Sequence, residues 1–210
     1  MKFSNEKIES LRKEVGEGLS KKRYLHTLGV EKAACYIGSF FEDLDLSELA
    51  VAALLHDITK EYSEAEHQNI LENNKEICDG VCGVTAALHS FTAPYVVKRD
   101  FSEYATINVL SAVRNHTLGS PEMSIFDEII FISDYVEDGR TYPACVDVRE
   151  MLYRDLNKAV SYEECIIALH RAVAKSLEYT VSALRARGAL LHEKTEDTLN
   201  SFVTKLNYLR

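Results

Sequence analysis

The stretch ALLHDITKEY, residues 53–62, places a histidine beside an aspartate directly after a run of apolar side chains. Residues 52–55 (AALL) are typical of a buried helix, where another hydrophobic residue would be expected next. A buried carboxylate is costly unless a positive group meets it. We therefore expect Asp57 to have a cationic partner inside the protein, and His56 to take part in the same site.

The rest of the chain predicts an all-α protein. Apolar residues recur at three- and four-residue spacing, and only three prolines and nine glycines interrupt the 210 residues. Ser63, Ser124 and Ser161 are each followed three residues later by an acid, which predicts helix N-caps rather than catalytic groups. Helices are expected near 4–18, 22–41, 47–57, 63–74, 80–89, 94–98, 102–115, 124–138, 145–157, 161–187 and 195–208.

The composition indicates one soluble domain in the cytoplasm. No apolar run is long enough to cross a bilayer, and the charged N-terminal residues do not resemble a signal peptide. The net charge of −9 argues against nonspecific nucleic-acid binding but leaves room for a small anionic ligand where cations cluster. The five cysteines are expected to be reduced thiols, and the spacing of Cys78 and Cys82 is wider than that of a usual zinc-binding pair.

Four of the seven histidines predict a metal site. They are separated by 30, 33 and 27 residues, the spacing of successive helices that turn back on one another. Together with two aspartates they form a ligand set suited to two divalent cations. The six residues are His26, His56, Asp57, His89, His116 and Asp134.

Each of these residues has a simpler explanation when it is taken singly. A lone histidine is more often packed or solvated, and Asp134 could be an ordinary polar residue near a helix C-terminus. The other histidines fit that description. We expect His67 on a charged face, His170 in a helix without a nearby acid, and His192 ahead of a polar tail. The chain after residue 145 is expected to serve packing or dimer contact.

The order H…HD…H…H…D resembles that of the HD-domain superfamily of metal-dependent phosphohydrolases. Over residues 5–190 the chain is similar to the YqeK family of symmetrical diadenosine-tetraphosphate hydrolases. The resemblance implies an HD-domain helical bundle, with the HD core at about 20–140 and additional C-terminal helices within a single domain of residues 1–210. It is carried by RYLHTLGVEKAA (23–34), LAVAALLHDITKEYS (49–63), LHS (88–90), SAVRNHTLGSPEMS (111–124) and ISDYVEDGR (132–140).

The chain departs from this family after His89. Members usually have a glycine-containing HGxxGA turn there, whereas this sequence reads HSFTAPYVV. Glycine would allow the backbone to approach a ligand closely. Ser90 and Phe91 are therefore expected to narrow the pocket or shift the nucleotide preference.

The resemblance also implies a ligand assignment and a reaction. One metal would be held by His26, His56, Asp57 and Asp134, and Asp57 would bridge to a second metal held by His89 and His116. Iron is the first expectation, and manganese, cobalt or zinc would suit the same ligands. A metal-bridging hydroxide would attack the central anhydride of diadenosine tetraphosphate, giving two ADP.

Several cations are expected to neutralise the polyphosphate. Lys60 lies four residues after His56, so we expect it on the same helical face as His56, where it would act as a catalytic cation. The alternative is a surface ion pair between Lys60 and Glu64. Glu137 either orients Arg140 or is solvated. The other expected substrate-binding residues are Arg23, Arg114, Thr117 and Arg140.

Three alternatives to this reaction remain open from the sequence. The chain could be another HD phosphohydrolase that acts on a deoxynucleotide, an alarmone or a cyclic dinucleotide. It could use a two-iron site to activate oxygen. It could also be a non-enzymatic helical binding or scaffold protein with a vestigial or purely structural metal. No nucleic-acid or membrane partner is expected for the protein, and a homodimer is left open.

Overall fold

A computed structural model describes residues 1–74 and 85–208 of the chain, and within them it contains ten α-helices and no strand. The all-α prediction is confirmed. Short 3₁₀ turns precede α5 and α6, at Thr85–Ala87 and Ser102–Tyr104. The helices are α1 (Asn5–Gly18), α2 (Lys21–Gly38), α3 (Leu46–Leu55), α4 (Glu64–Asn73), α5 (Leu88–Asp100), α6 (Ile107–Asn115), α7 (Ile125–Val136), α8 (Pro143–Lys158), α9 (Tyr162–Ala186) and α10 (Glu193–Tyr208).

Helix α3 is the centre of the bundle. Every residue of α3 after Leu46 is buried, because this helix is apolar on nearly all sides and packs against α1, α2, α6 and α7. Asp45 caps its N-terminus by accepting hydrogen bonds from the amides of Ser47 and Glu48. The chain leaves the C-terminal end of α3 at His56, so the doublet formed by His56 and Asp57 lies deep in the protein.

The C-terminal helices pack onto this core. Helix α9 contacts α7, α8 and α10, and its buried face continues the same hydrophobic cluster that contains α3. The predicted packing role of the chain after residue 145 is confirmed, while a dimer contact stays a prediction. No helix in the described ranges, 1–74 and 85–208, has the length and apolar character that a transmembrane span requires.

The predicted N-caps are present. Ser63 with Glu66 and Ser124 with Asp127 form complete capping boxes. Ser161 accepts a hydrogen bond from the amide of Glu164 at 3.2 Å. These serines therefore start helices, as the sequence indicated.

Two predicted helices near the site differ from the structure at their ends. The helix expected near 47–57 runs over Leu46–Leu55, a difference within the one or two residues by which helix ends are ordinarily assigned. The chain then continues in tight turns, with a hydrogen bond from Lys60 N to Asp57 O at 2.9 Å. The segment expected as one helix over 102–115 consists of the 3₁₀ turn Ser102–Tyr104 followed by α6. Helix α6 begins separately because Thr106 caps it by accepting a hydrogen bond from the amide of Val109.

The segments expected at 80–89 and 94–98 also differ. One helix, α5, runs through Pro94. Proline removes one helical hydrogen bond, but the burial of Ala93, Val96 and Val97 holds the helix together at this point. Residues 80–84 of the first expected helix lie outside the described residues, as do Cys78 and Cys82.

Candidate metal centre

Five helices bring the six predicted ligands together. His26 lies on α2 and His89 on α5, while Asp134 lies in the last turn of α7. His56 and Asp57 directly follow α3, and His116 directly follows α6. Side-chain ligand atoms of His26, His56 and Asp134, and separately of His56, Asp57 and His116, lie within 4.8 Å of one another. The chain thus contains clusters that could hold a divalent metal ion.

Asp57 lies between two pairs of imidazoles. Its Oδ2 is 3.7 Å from His26 Nε2 and 3.5 Å from His56 Nε2. Its Oδ1 is 3.2 Å from His89 Nε2 and 3.5 Å from His116 Nε2. Each carboxylate oxygen therefore faces a different pair of rings, which is the arrangement expected of a bridging carboxylate.

The two aspartates are held in the charged form. Burial raises the pKa of Asp57, but His56, His116 and His89 outweigh this effect and lower it well below its usual value. Asp134 Oδ1 lies 2.9 Å from His26 Nε2. Burial likewise raises the pKa of Asp134, and His26 and Arg140 lower it below its usual range. Both carboxylates are therefore anionic over any ordinary pH and available to a cation.

Three rings are oriented by hydrogen bonds at Nδ1. His56 Nδ1 donates to Ala53 O at 2.6 Å, and His116 Nδ1 donates to Val113 O at 2.7 Å. His26 Nδ1 donates to Glu137 Oε1 at 3.1 Å. With the proton on Nδ1, the Nε2 lone pair faces the centre.

The donor set fits a metal ion. The Nε2 lone pair of His26 faces the carboxylate of Asp134 at 2.9 Å, a group that can only accept, and His56 Nε2 is buried without a hydrogen-bond partner. Buried nitrogens without a partner are costly. A divalent cation at this position would satisfy both lone pairs and would balance the adjacent carboxylates.

Glu137 is a residue of the site whose contact the sequence analysis missed. It neither orients Arg140 nor faces solvent, since it is 4% exposed and contacts the ring of His26. Its Oε2 accepts a hydrogen bond from Gly139 N at 2.6 Å. Gly29 leaves the space that Glu137 occupies, because a Cβ at position 29 would collide with Oε2. No local pattern connects residues 26 and 137, so only the fold shows this contact.

The ring of His89 contacts the ammonium group of Lys60. Lys60 Nζ lies 3.2 Å from both ring nitrogens of His89 and 3.4 Å from Ala86 O. Burial lowers the pKa of Lys60, and burial together with the charges of His116 and Lys60 lowers the pKa of His89 to about 3. Lys60 therefore reaches the centre from the turn after α3, not from the helical face that was expected.

The centre lies against a cavity of about 1100 Å³ whose walls carry cations. Arg23 Nη1 contacts Asp57 Oδ2 at 2.6 Å, and Arg140 Nη2 contacts Asp134 Oδ1 at 2.8 Å. Thr117 also lines this cavity, with its hydroxyl 3.0 Å from His89 Nε2. The cationic wall residues are Lys21, Lys22, Arg23, Lys60 and Arg140. A protein with a net charge of −9 thus concentrates positive charge where an anionic ligand would enter.

Comparison with known proteins identifies the family. The HD domain profile matches residues 23–139. The symmetrical bis(5'-nucleosyl)-tetraphosphatase of Bacillus subtilis (strain 168) is 30% identical over 146 residues, which cover 70% of this chain and 77% of the relative. The enzyme of the same name from Halalkalibacterium halodurans is 31% identical, over 68% of this chain and 75% of the relative. This chain belongs to the HD-domain family of symmetrical bis(5'-nucleosyl)-tetraphosphatases.

Two further comparisons extend this likeness over nearly the whole chain. The tetraphosphatase of the same name from Staphylococcus aureus is 28% identical over 93% of this chain and 94% of its own length. The crystal structure of a protein from Clostridium acetobutylicum, described as a predicted HD superfamily hydrolase involved in NAD metabolism, superposes with a TM-score of 0.79 at 25% identity. It covers 97% of this chain. The helices beyond the HD match are thus also present in a solved member of this superfamily.

Arg114 does not line the cavity beside the candidate metal centre. It lies two positions before His116, and side chains at that spacing do not share a helix face. Arg114 Nη1 donates to Phe91 O at 3.0 Å, and the guanidinium lies over the Phe91 ring at 4.1 Å. Ser90 and Phe91 are buried and do not line the cavity, so they do not narrow it, and Ser90 donates to Ala87 O. Their expected effect on nucleotide preference stays a prediction.

The descriptions of two other histidines need correction. His67 is 5% exposed and forms a 2.8 Å hydrogen bond with Thr92 Oγ1, so it does not lie on a charged face. His170 lies 3.3 Å from the buried carboxylate of Glu128, an acid supplied by α7 and invisible from the sequence around α9. His192 accepts from the amide of Lys194 at 3.1 Å and so helps to start α10.

Proposed function

We propose that this protein hydrolyses diadenosine tetraphosphate symmetrically to two molecules of ADP, with divalent cations held by the six converging residues. The observation that carries the proposal is the position of four imidazoles and two carboxylates against a cavity with cationic walls. The names of the curated relatives supply the substrate. Symmetrical cleavage follows from those names and not from the geometry.

The positions of the two oxygens of Asp57 support a two-metal assignment. His26, His56 and Asp134 would hold one cation together with Oδ2, and His89 and His116 would hold another together with Oδ1. When bound, such cations lower the pKa of water from about 15.7 towards roughly 7 and polarise the phosphoryl group. We propose iron first, with manganese, cobalt or zinc as alternatives that the same ligands accept.

The residues of the chain neutralise and position the polyphosphate. Arg23 uses Nη1 for Asp57 and lines the cavity, where its guanidinium can pair with a phosphate oxygen. Lys60 and Thr117 add an ammonium and a hydroxyl beside His89. Because the departing group is ADP, a good leaving group, charge neutralisation matters more than a strong general acid.

We also propose that residues 1–210 act as one HD domain with additional C-terminal helices, in the cytoplasm. The continuous hydrophobic cluster from α1 to α10 supports the single domain. The described cysteines Cys35, Cys145 and Cys165 are free thiols, which fits a reducing compartment.

The variant Asp57→Ala tests the metal assignment. Changes to residues that merely orient ligands cost roughly 10- to 100-fold in metal affinity or activity. Removal of the carboxylate that faces all four rings should therefore lower turnover by more than about 100-fold and reduce the metal content of the purified protein. Asp197→Ala, which removes an exposed aspartate on α10, is the matched control.

A substrate panel tests the reaction itself. The protein loaded with iron, manganese, cobalt or zinc should convert diadenosine tetraphosphate to ADP as the only nucleotide product. A tenfold preference for a deoxynucleotide, an alarmone or a cyclic dinucleotide would overturn the substrate assignment. Failure to hydrolyse any of these nucleotides with any of the four metals would overturn the hydrolase assignment.

A further inference from the structure

A second cleft adjoins the main cavity and has no role in the chemistry described above. Its volume is about 260 Å³. Gly29 and Asp138 line both spaces, so the cleft begins where the wall of the main cavity ends. Its other lining residues are Lys32, Ala33, Tyr36 and Tyr153.

The distance of this cleft from the metal centre is set by α2. His26, Gly29, Ala33 and Tyr36 follow one another at spacings of three and four residues, so they lie along one face of the helix. Ten residues separate His26 from Tyr36, which corresponds to roughly 15 Å along the axis. An extended nucleoside diphosphate arm has a comparable reach.

The lining of the cleft has the chemistry that a nucleoside requires. Tyr36 and Tyr153 meet edge to face with ring centroids 4.7 Å apart, and Tyr36 is 37% exposed. Exposed aromatic rings of this kind stack on nucleobases irrespective of base identity. Lys32 and Asp138 form an exposed ion pair of 2.7 Å at the edge of the cleft. Such a surface pair is weak, and its carboxylate can accept hydrogen bonds from ribose hydroxyls instead.

We propose that the cleft lined by Ala33, Tyr36 and Tyr153 binds the nucleoside of one half of the substrate. This inference rests on the proposed function, because a dinucleotide cut at its centre must extend from the attacked phosphate in two directions. One arm crosses the edge that the two spaces share at Gly29 and Asp138, beside the carboxylate of Glu137, and enters the cleft. The other arm remains in the main cavity, where Leu25 and Tyr142 are 58% and 70% exposed.

Calorimetric titration of the purified protein with ADP tests the cleft. Alanine substitution of a stacking aromatic costs roughly 1–3 kcal/mol per base, so Tyr36→Ala should weaken ADP binding by about fivefold or more. Tyr36→Phe keeps the ring and should bind ADP as the unaltered protein does. Tyr208→Ala, at an 86% exposed tyrosine on α10, is the matched control and should also leave binding unchanged.

The outcomes separate this inference from the proposed function. Equal ADP affinity in Tyr36→Ala and Tyr208→Ala would overturn the nucleoside site even if diadenosine tetraphosphate is hydrolysed. The absence of any ADP binding by the unaltered protein would overturn it as well. ADP binding that depends on Tyr36, without hydrolysis of diadenosine tetraphosphate, would uphold the cleft and refute the proposed substrate.

Photolabelling of the unaltered protein covers the case in which Tyr36→Ala fails to fold. Irradiation with 8-azido-ADP should label peptides that contain Tyr36 or Tyr153. Labelling confined to the peptide that contains Tyr142, or to peptides distant from both cavities, would overturn the proposal.

Discussion

The histidines of the metal centre are oriented by two different kinds of acceptor. His56 and His116 donate from Nδ1 to carbonyls three residues earlier, which belong to the ends of their own helices. His26 instead donates to the carboxylate of Glu137, at the end of α7. A backbone acceptor cannot be removed by substitution, whereas a side-chain acceptor can. Glu137 is therefore the residue through which ring orientation can be tested.

The variant Glu137→Gln should weaken metal binding while all six candidate ligands remain present. The amide keeps an oxygen near His26 Nδ1 but removes the negative charge that makes the ring a better donor to a cation. We expect metal affinity and turnover to fall by about 10- to 100-fold, measured by metal titration and by steady-state kinetics. Glu122→Gln, an exposed change of the same kind, is the control. Unchanged metal affinity in Glu137→Gln would show that the carboxylate does not position His26.

At the scale of a single element, the N-cap of α3 matters most because His56 and Asp57 directly follow this helix. Asp45 is the cap, and replacement of an N-cap aspartate by alanine costs about 1 kcal/mol. Burial raises the pKa of Asp45, but hydrogen bonds from the Ser47 hydroxyl, from the Met1 ammonium group at 3.1 Å and from the amides of Ser47 and Glu48 bring it down to about 2. The folded protein thus stabilises the charged form of this carboxyl relative to the usual 3.8.

This lowered pKa predicts how the effect of Asp45→Ala depends on pH. A carboxyl whose pKa is depressed on folding stabilises the protein above its unfolded pKa, and that contribution is lost as the pH falls towards the folded pKa. The difference in unfolding free energy between the unaltered protein and Asp45→Ala should be about 1 kcal/mol at pH 7 and should shrink between pH 4 and pH 2. Urea unfolding at several pH values measures it. Asp45→Asn, which keeps an oxygen acceptor, should lose less at pH 7, and a difference independent of pH would contradict this account.

The elements also show which parts of the fold the sequence could predict. Helix starts were predictable because a capping serine and its acid lie within four residues of each other, as at Ser63 and Ser124. The end of α3 was predicted to within two residues, but the tight turns that follow were not, because residues 56–62 have no glycine or proline and turn only in the context of the surrounding helices. Lys60 was expected to continue the helical face of His56, whereas it lies in a turn five residues beyond the end of α3.

The same distinction holds for the candidate metal centre. Its six candidate ligands were predictable because metal ligands are restricted to a few residue types, and their order along the chain resembles a known pattern. Contacts between distant segments were not predictable. The pairing of Glu137 with His26 and the stacking of Arg114 on Phe91 depend on side chains from different helices, which no local spacing encodes.

At the scale of the whole molecule, α10 supports the loop that carries His116. Thr195 Oγ1 donates to Leu118 O at 3.3 Å, and Ser201 Oγ donates to Pro121 O at 3.4 Å. Between them, Gly119 adopts a positive φ of 75°, and a Cβ there would lie 2.8 Å from Thr198 Cγ2. A helix outside the HD match therefore contacts the segment that positions one of the candidate ligands.

The variants Gly119→Ala and Gly188→Ala test this contact as a matched pair. Both glycines have positive φ, so each substitution should cost about 1–2 kcal/mol of backbone strain. An added Cβ meets nothing within 4 Å at Gly188, whereas at Gly119 it must displace the Thr198 side chain or the helix α10 that carries it. Urea unfolding should therefore show Gly119→Ala to be less stable than Gly188→Ala by a further 1–3 kcal/mol or so, the usual range for overpacking. Adding Thr198→Ser, which removes Cγ2, should recover much of the additional stability lost in Gly119→Ala. Equal destabilisation by the two glycine variants would mean that α10 does not restrain the His116 loop.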